Sequence, residues 1–418
     1  MPPLDRRRLL RATAAALTAG VAGCLLDARP DEAADPPDGV APTTVVSDLE
    51  IPWDLAVAGD DAFVTERDGG VRRFDRESLV DGAGLAAGDG EVALAGADLP
   101  ERTAPGEGGT LGVAAHPDYP EPPALYVYYT AEDGERRNRV VRYDRDREEI
   151  DPIVEGIPAA RTHNGGRLRV GPDGDLWVLT GDAEDPDAAR DPDSLSGSVL
   201  RLTPDGDPAA PGPPFPDGDP RLFTVGHRNP QGLAFAPDGT AFVAEHGPDA
   251  RDEVSLLRSG GNYGWDVARG GPDDPEYDGY DAHEAFVPPL VNTGPETTWA
   301  PSGIARYDGP IPEWNGRLLV AGLASETLFA VALLDDAAAA DDLPDAEVAT
   351  VHDADWLDDR YTAVSVPYYV GEFGRLRHVA VGPDGALYLL TSNRDGRARV
   401  GGDFPQDRDD RIVRLDRA

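Results

Sequence analysis

A closed all-β fold of six similar units, a six-bladed β-propeller, is what the sequence predicts, on three observations. Beyond residue 43 the chain runs as short β-rich stretches broken by Gly, Pro and Asp clusters, with no long helical period. One phrase, a tight polar turn followed by an apolar or alternating strand, recurs six times. The recurrences lie roughly 55 to 80 residues apart, the size of a β unit repeated radially about an axis. A ring of such units also accounts for 418 residues in one domain. An array of two-sheet sandwiches is the alternative arrangement of the same stretches.

The phrases follow in order. Gly59-Asp60-Asp61 precedes Ala62-Phe63-Val64, Pro117-Asp118 precedes Ala124 to Tyr128, and Pro172-Asp173-Gly174 precedes Leu176 to Leu179. Pro237-Asp238-Gly239 precedes Ala241 to Ala244, Trp314-Asn315-Gly316 precedes Leu318 to Ala321, and Pro383-Asp384-Gly385 precedes Leu387 to Leu390. In each, turn residues set up a reversal that the following apolar run continues as a strand. The longest interval implies an insertion or long loops on one face within residues 246–313.

Composition narrows the functions. The chain carries 38 basic and 78 acidic side chains, a net charge of −40, and no Lys, so every basic group is Arg. Its isoelectric point is near 4.3. Such a surface repels phosphate backbones, so no nucleic-acid partner is expected. The 40% of apolar residues, spread evenly, excludes wholesale disorder. Self-repulsion of this size is relieved in concentrated salt, where the Debye length falls to about 3 Å at 1 M. A salt-rich source is the reading that follows; a merely acidic exported protein is the plainer one.

Residues 1–24 read as an address. Arg6-Arg7-Arg8-Leu9-Leu10-Arg11 has a twin-arginine arrangement, and the apolar stretch Ala12 to Gly23 is too short to span a bilayer. It ends at Val21-Ala22-Gly23-Cys24, which resembles a lipoprotein processing site. Cys24 is the only cysteine, so no intramolecular disulfide forms. The expected location is the outer side of the cytoplasmic membrane, with membrane contact only through a lipid on Cys24. Residues 25–42, rich in Asp, Ala and Pro, read as a tether, and residues 43–418 as the propeller domain.

Four stretches hold polar residues that turn chemistry does not require. Thr162-His163-Asn164-Gly165-Gly166-Arg167 precedes the third phrase, and Gly181-Asp182 follows its strand. A strand out and back brings Asp182 beside His163, as in a base held by a carboxylate. On spacing alone a structural histidine is the plainer reading. Gly226-His227-Arg228-Asn229-Pro230-Gln231-Gly232 is dense in donors. Glu245-His246-Gly247-Pro248, Asp252-Glu253 and Asn262-Tyr263-Gly264-Trp265 combine carboxylates with Gly-rich carbonyls, a setting suited to Ca2+. In so acidic a chain it is also suited to plain solvation. Arg375 and Arg377 fall on one face of a strand, where paired guanidinium forks suit a ligand with several carboxylates or simply neighbouring acids.

Taken together, these stretches resemble the soluble aldose sugar dehydrogenases that use pyrroloquinoline quinone (PQQ), the glucose/sorbosone dehydrogenase-like propellers. The resemblance runs from about residue 45 to residue 416. It includes Pro52-Trp53, Thr65-Glu66-Arg67, Gly106-Glu107-Gly108-Gly109, the His163 motif, Gly226 to Gly232, Glu245 to Trp265, Pro301-Ser302-Gly303 and Arg375-Leu376-Arg377. It implies a six-bladed propeller that oxidises an aldose at C1 to the lactone, passing hydride to Ca2+-bound PQQ and then electrons to an acceptor.

At the matching positions it implies that His163 is the general base, that Asp182 orients it, and that Arg228 and Asn229 bind the quinone oxygens. Arg228 would also stabilise developing negative charge. The carbonyls of Gly247 and Pro248 would hold the cofactor's Ca2+, and Glu253 with the Tyr263 carbonyl a second Ca2+. Arg375 and Arg377 would meet the cofactor carboxylates, and Trp299 the sugar or the core.

Two departures stand out. Some relatives have Gln where this chain has Glu107, a carboxylate among the cofactor contacts. Several place a Lys where Leu323 is followed by Ala324-Ser325. Both departures favour a competing reading, a non-enzymatic cell-surface propeller that binds sugar or protein. A Ca2+-dependent propeller lactonase, a third reading, needs a carboxylate cage and no arginine clamp.

The position of Cys24 yields a direct test. Replacing it with Ser is expected to release folded protein into the medium. Retention of that variant on membranes would show that another feature anchors the chain.

Overall fold

The structure is a computed structural model that describes residues 28–417 apart from Ala83, Ala210, Pro211, Pro213 and Val400. The export segment and Cys24 lie outside the described residues. Six antiparallel sheets, the blades, surround a central axis, as predicted. Their innermost strands are Pro52–Ala58, Thr110–Ala115, Leu168–Val170, Pro230–Phe235, Pro301–Arg306 and Leu376–Val381. All six turn phrases fall at one place, the reversal between the first and second strand of a blade. The one described α-helix, Arg76–Asp81, is a single short excursion in blade 1.

Apolar side chains on both faces of each blade pack against the neighbouring blades. Tyr126, Tyr128 and Val140 of blade 2 share one buried cluster with Leu176, Val178 and Leu200 of blade 3. The predicted insertion is present in blade 4, between the strands Glu253–Leu256 and Val291–Asn292. It carries a small sheet of Ala268–Gly270 and Asp278–Gly279.

The beginning of the domain differs from the sequence reading. The strand Val40–Ser47 starts inside the supposed tether and pairs with the last strand, Ile412–Arg417, in the register Val40↔Arg417 and Pro42↔Leu415. It thereby closes the ring as the fourth strand of blade 6. Upstream, the Ala34 amide donates to the Pro367 carbonyl at 2.9 Å, and Arg29 pairs with Glu326. Ala, Asp and Pro carry no strand signal of their own; the partner strand at the far end of the chain imposes it.

This closure generates a prediction. Val46 is fully buried in a cluster with Leu55 and Val64 of blade 1 and Leu390 of blade 6. Val46→Asp is expected to destabilise the fold by at least about 3 kcal/mol, because it strands a carboxylate at the ring seam. Ala41→Asp, exposed on the same strand, is expected to stay within about 0.5 kcal/mol. Denaturant midpoints at constant salt check both.

Candidate active site

In an antiparallel hairpin the start of the first strand and the end of the second share one end. Six hairpins around an axis therefore gather twelve such termini at one mouth. Glu107, His163, Arg228, Asn229 and Arg375 precede innermost strands, whereas Asp182 and His246 follow second strands. The sequence motifs converge for this reason.

His163 has a positive φ of 55° and is held at two points. Its Nδ1 pairs with Asp182 Oδ1 at 2.8 Å, and its backbone N–H donates to Glu107 Oε2 at 3.0 Å. Asp182 is buried and accepts from Trp265 Nε1 at 2.7 Å and from the Glu184 amide at 2.9 Å. The ring is thus fixed through Nδ1, with Nε2 on the side away from the carboxylate.

Arg228 lies over the Trp265 ring at 5.4 Å and reaches the His246 carbonyl at 3.4 Å. Asn229 Oδ1 accepts the Gly165 amide at 3.1 Å, which leaves the side-chain NH2 as the group able to meet a ligand. Arg375 does not lie within a strand; the strand begins at Leu376. Its guanidinium donates to Asp395 Oδ2 at 3.0 and 3.2 Å and to the Leu323 carbonyl at 3.1 Å. Arg377 donates to Gln231 Oε1 at 2.9 Å and lies 3.8 Å from Asp395. Burial first, with Arg375 and Arg67 adding to it, lowers the Arg377 guanidinium to about 9.

In a chain of net charge −40 the mouth is locally basic, because Arg67, Arg228, Arg375, Arg377 and Arg397 gather there. Among the described residues, Arg228 Nε, His246 Nε2 and Arg377 Nε are buried without a hydrogen-bond partner. Burial pushes His246 down to about 3, so it is a neutral imidazole. The two guanidinium Nε–H groups are buried donors that suit an anionic ligand. That is the donor set a multi-carboxylate quinone requires.

The two expected Ca2+ positions differ. Around Gly247 the chain folds back through Asp249 and Arg251 at φ 58° and 60°. A methyl on Gly247 would lie 2.0 Å from the Ala250 carbonyl oxygen and 2.3 Å from that of Arg251. The Pro248 carbonyl accepts from Ala250 N at 2.5 Å, and Asp252 is spent on the amides of Gly247, Trp299 and Ala300. The loop therefore offers neutral carbonyl oxygens only, and a cation there would need an anionic ligand as partner.

At Glu253 and Tyr263 the expectation of an ion meets protein groups instead. Tyr280 Oη bridges the Glu253 carboxylate and the Tyr263 carbonyl, each at 3.1 Å. The Arg269 guanidinium, fully buried, lies 2.7 Å from Glu253 and also pairs with Glu245. Asn292 Nδ2 adds a bond to Glu253 at 3.0 Å. One guanidinium cannot neutralise two carboxylates. Burial would raise Glu245, but Arg269 and His227 hold it down to about 2. Burial pushes Glu253 up to about 7, with Glu245 reinforcing it and Arg269 opposing it. No group of three or more metal-ligating side chains occurs among the described residues. Trp299 is packed against Phe329 at 3.8 Å.

Asp395 and Arg397 lie in a polar loop that looks like any other acidic turn in the sequence. His246 and Trp265 fall within the motifs read from the sequence but carried no role there; the signal was their place beside Glu245 and Tyr263.

Residues 49–400 match the family described as glucose/sorbosone dehydrogenase. The aldose sugar dehydrogenase YliI of Escherichia coli K12 is 29% identical over 376 residues, which cover 83% of this chain and 89% of that one. Quinoprotein glucose dehydrogenase B of Acinetobacter calcoaceticus is 33% identical over 205 residues, 42% of this chain and 43% of its own. The PQQ-bound aldose sugar dehydrogenase of Streptomyces coelicolor is similar in structure, with a TM-score of 0.66 and 33% identity over 91% of this chain and 99% of that one.

The Glu253 geometry makes a testable prediction. Glu253 has a folded value near 7 above the ordinary carboxyl range. It should therefore favour the fold fully at pH below about 4 and lose that contribution as pH rises through 7. Glu253→Gln is expected to flatten this slope and to raise stability at pH 8 by on the order of 1–3 kcal/mol. Chelation is expected to leave the melting temperature of cofactor-free protein unchanged. A chelator-induced drop that Glu253→Gln abolishes would place a cation at Glu253.

Proposed function

The chain belongs to the glucose/sorbosone dehydrogenase family, and on that premise we propose that it oxidises an aldose at C1 to the lactone with PQQ as cofactor. One observation carries the reading. The His163–Asp182 pair at 2.8 Å opens on a basic mouth whose Arg228, His246 and Arg377 each keep a buried nitrogen without a protein partner.

The quinone, when bound, would supply a hydride acceptor, and the Gly247 and Pro248 carbonyls would be the groups to hold a Ca2+ beside it. The residues do the rest. His163, held by Asp182 through Nδ1, takes the C1 hydroxyl proton at Nε2 as hydride leaves the same carbon. Asp182 keeps the ring in one tautomer and balances the imidazolium that forms. Arg228 and the Asn229 NH2 hold the ligand's carbonyl oxygens, and Arg228 stabilises charge that grows there. Arg377, through its unpartnered Nε, meets a carboxylate. Arg375, paired with Asp395, would join it through its remaining N–H groups.

A carboxylate cage of the kind a Ca2+-dependent lactonase needs does not occur among the described residues. The electrons pass to an acceptor outside this chain. We place the protein on the outer side of the cytoplasmic membrane, held by a lipid on Cys24.

His163→Gln is expected to lower aldose turnover by roughly 10²- to 10⁴-fold with PQQ binding retained, and Asp182→Asn by less. Ca2+ with PQQ should raise the melting temperature more than either alone, measured at constant high ionic strength. A His163→Gln variant with undiminished sugar oxidation would remove His163 from the chemistry. A protein whose melting temperature and absorbance ignore PQQ at saturating Ca2+ would remove the cofactor.

A further inference from the structure

Glu107 is a carboxylate at the mouth of a site read as binding a polyanion, and the residue that answers it lies 290 positions away. Arg397 Nη1 pairs with Glu107 Oε1 at 2.5 Å, while Glu107 Oε2 accepts the His163 amide. Arg397 sits on the loop that follows the second strand of blade 6, and Glu107 leads into blade 2. The pair therefore spans the mouth across blade 1.

The loop is held from within. Asp395 Oδ1 accepts the Arg397 amide at 2.9 Å, while its Oδ2 clasps Arg375 and accepts from Ser392 Oγ at 3.2 Å. One turn thus presents an acid to the buried arginines and a base to the buried acid. The Glu107 side chain is only 16% exposed. Unpaired, it would be a mostly dry anion within electrostatic reach of Arg228 and Arg377, the groups meant for the ligand.

We propose that Arg397 is a positioning residue that cancels the charge of Glu107, so that the acid can hold the His163 backbone without repelling an anionic ligand. The proposal rests on the PQQ reading of the site. It also answers the departure noted at Glu107: the carboxylate is not missing a partner but receives one from blade 6. Arg397 itself touches neither sugar nor the reacting atoms. Its work is electrostatic and is needed only while Glu107 is charged.

A double-mutant cycle tests it, with PQQ affinity of the full-length apoprotein, at saturating Ca2+ and fixed salt, as readout. Arg397→Ala is expected to weaken PQQ binding at least tenfold while turnover of the saturated enzyme changes less than about threefold. Arg397→Lys, which keeps the charge, should stay within about threefold of the parent. In the Glu107→Gln background Arg397→Ala should have an effect below about threefold, because there is no charge left to cancel. Equal weakening in both backgrounds, or none in either, overturns the proposal. If the parent protein itself binds no PQQ, the reading of the site fails first and this inference falls with it.

Discussion

Arg269, buried between Glu245 and Glu253, is the interaction on which the arrangement of the mouth depends. It belongs to the insertion of blade 4 and ties that insertion to the second and third strands of the same blade. Glu245, held charged by this contact, accepts from the Arg228 amide at 3.0 Å and pairs with His227 at 2.7 Å. The insertion, fastened in place, delivers Trp265 to Asp182, and Asp182 holds His163. Burying three charges is expensive unless each is paired and bonded. Here Tyr280 and Asn292 bond to Glu253 and His227 bonds to Glu245, while the Arg269 guanidinium meets both carboxylates as ion pairs.

The same network surrounds Glu253 and the Tyr263 carbonyl with protein groups. A guanidinium supplies positive charge, and a phenol supplies the donor that spans the two oxygens. Arg is the only basic side chain besides histidine in this protein. A planar fork can serve two carboxylates at once, which the point charge of an ammonium does less well.

The same economy runs through the mouth. Asp395 and Glu107 each meet arginines of the site, and each is brought there by a loop rather than a strand. Against a background of −40, the local excess of guanidinium groups forms a well for an anion inside an envelope that repels one. At the mouth, the Nε atoms of Arg228 and Arg377 are buried without a hydrogen-bond partner.

The six hairpins are legible locally, because a turn phrase and the strand after it are neighbours in the chain and each hairpin repeats them. So is the His163–Asp182 pair, since one hairpin separates the two residues and antiparallel geometry returns the second to the first. The contacts made across blades have no such local origin. The Arg397–Glu107 pair, the clasp of Asp395 on Arg375, the entry of Arg269 between two carboxylates, and the pairing of Val40 with Arg417 depend on ring closure and on loop paths. No local pattern encodes these, because an Asp or Arg in a polar loop reads the same whether it faces water or a buried partner. In a chain this rich in acids, composition hides the few charges that matter, and burial alone distinguishes them.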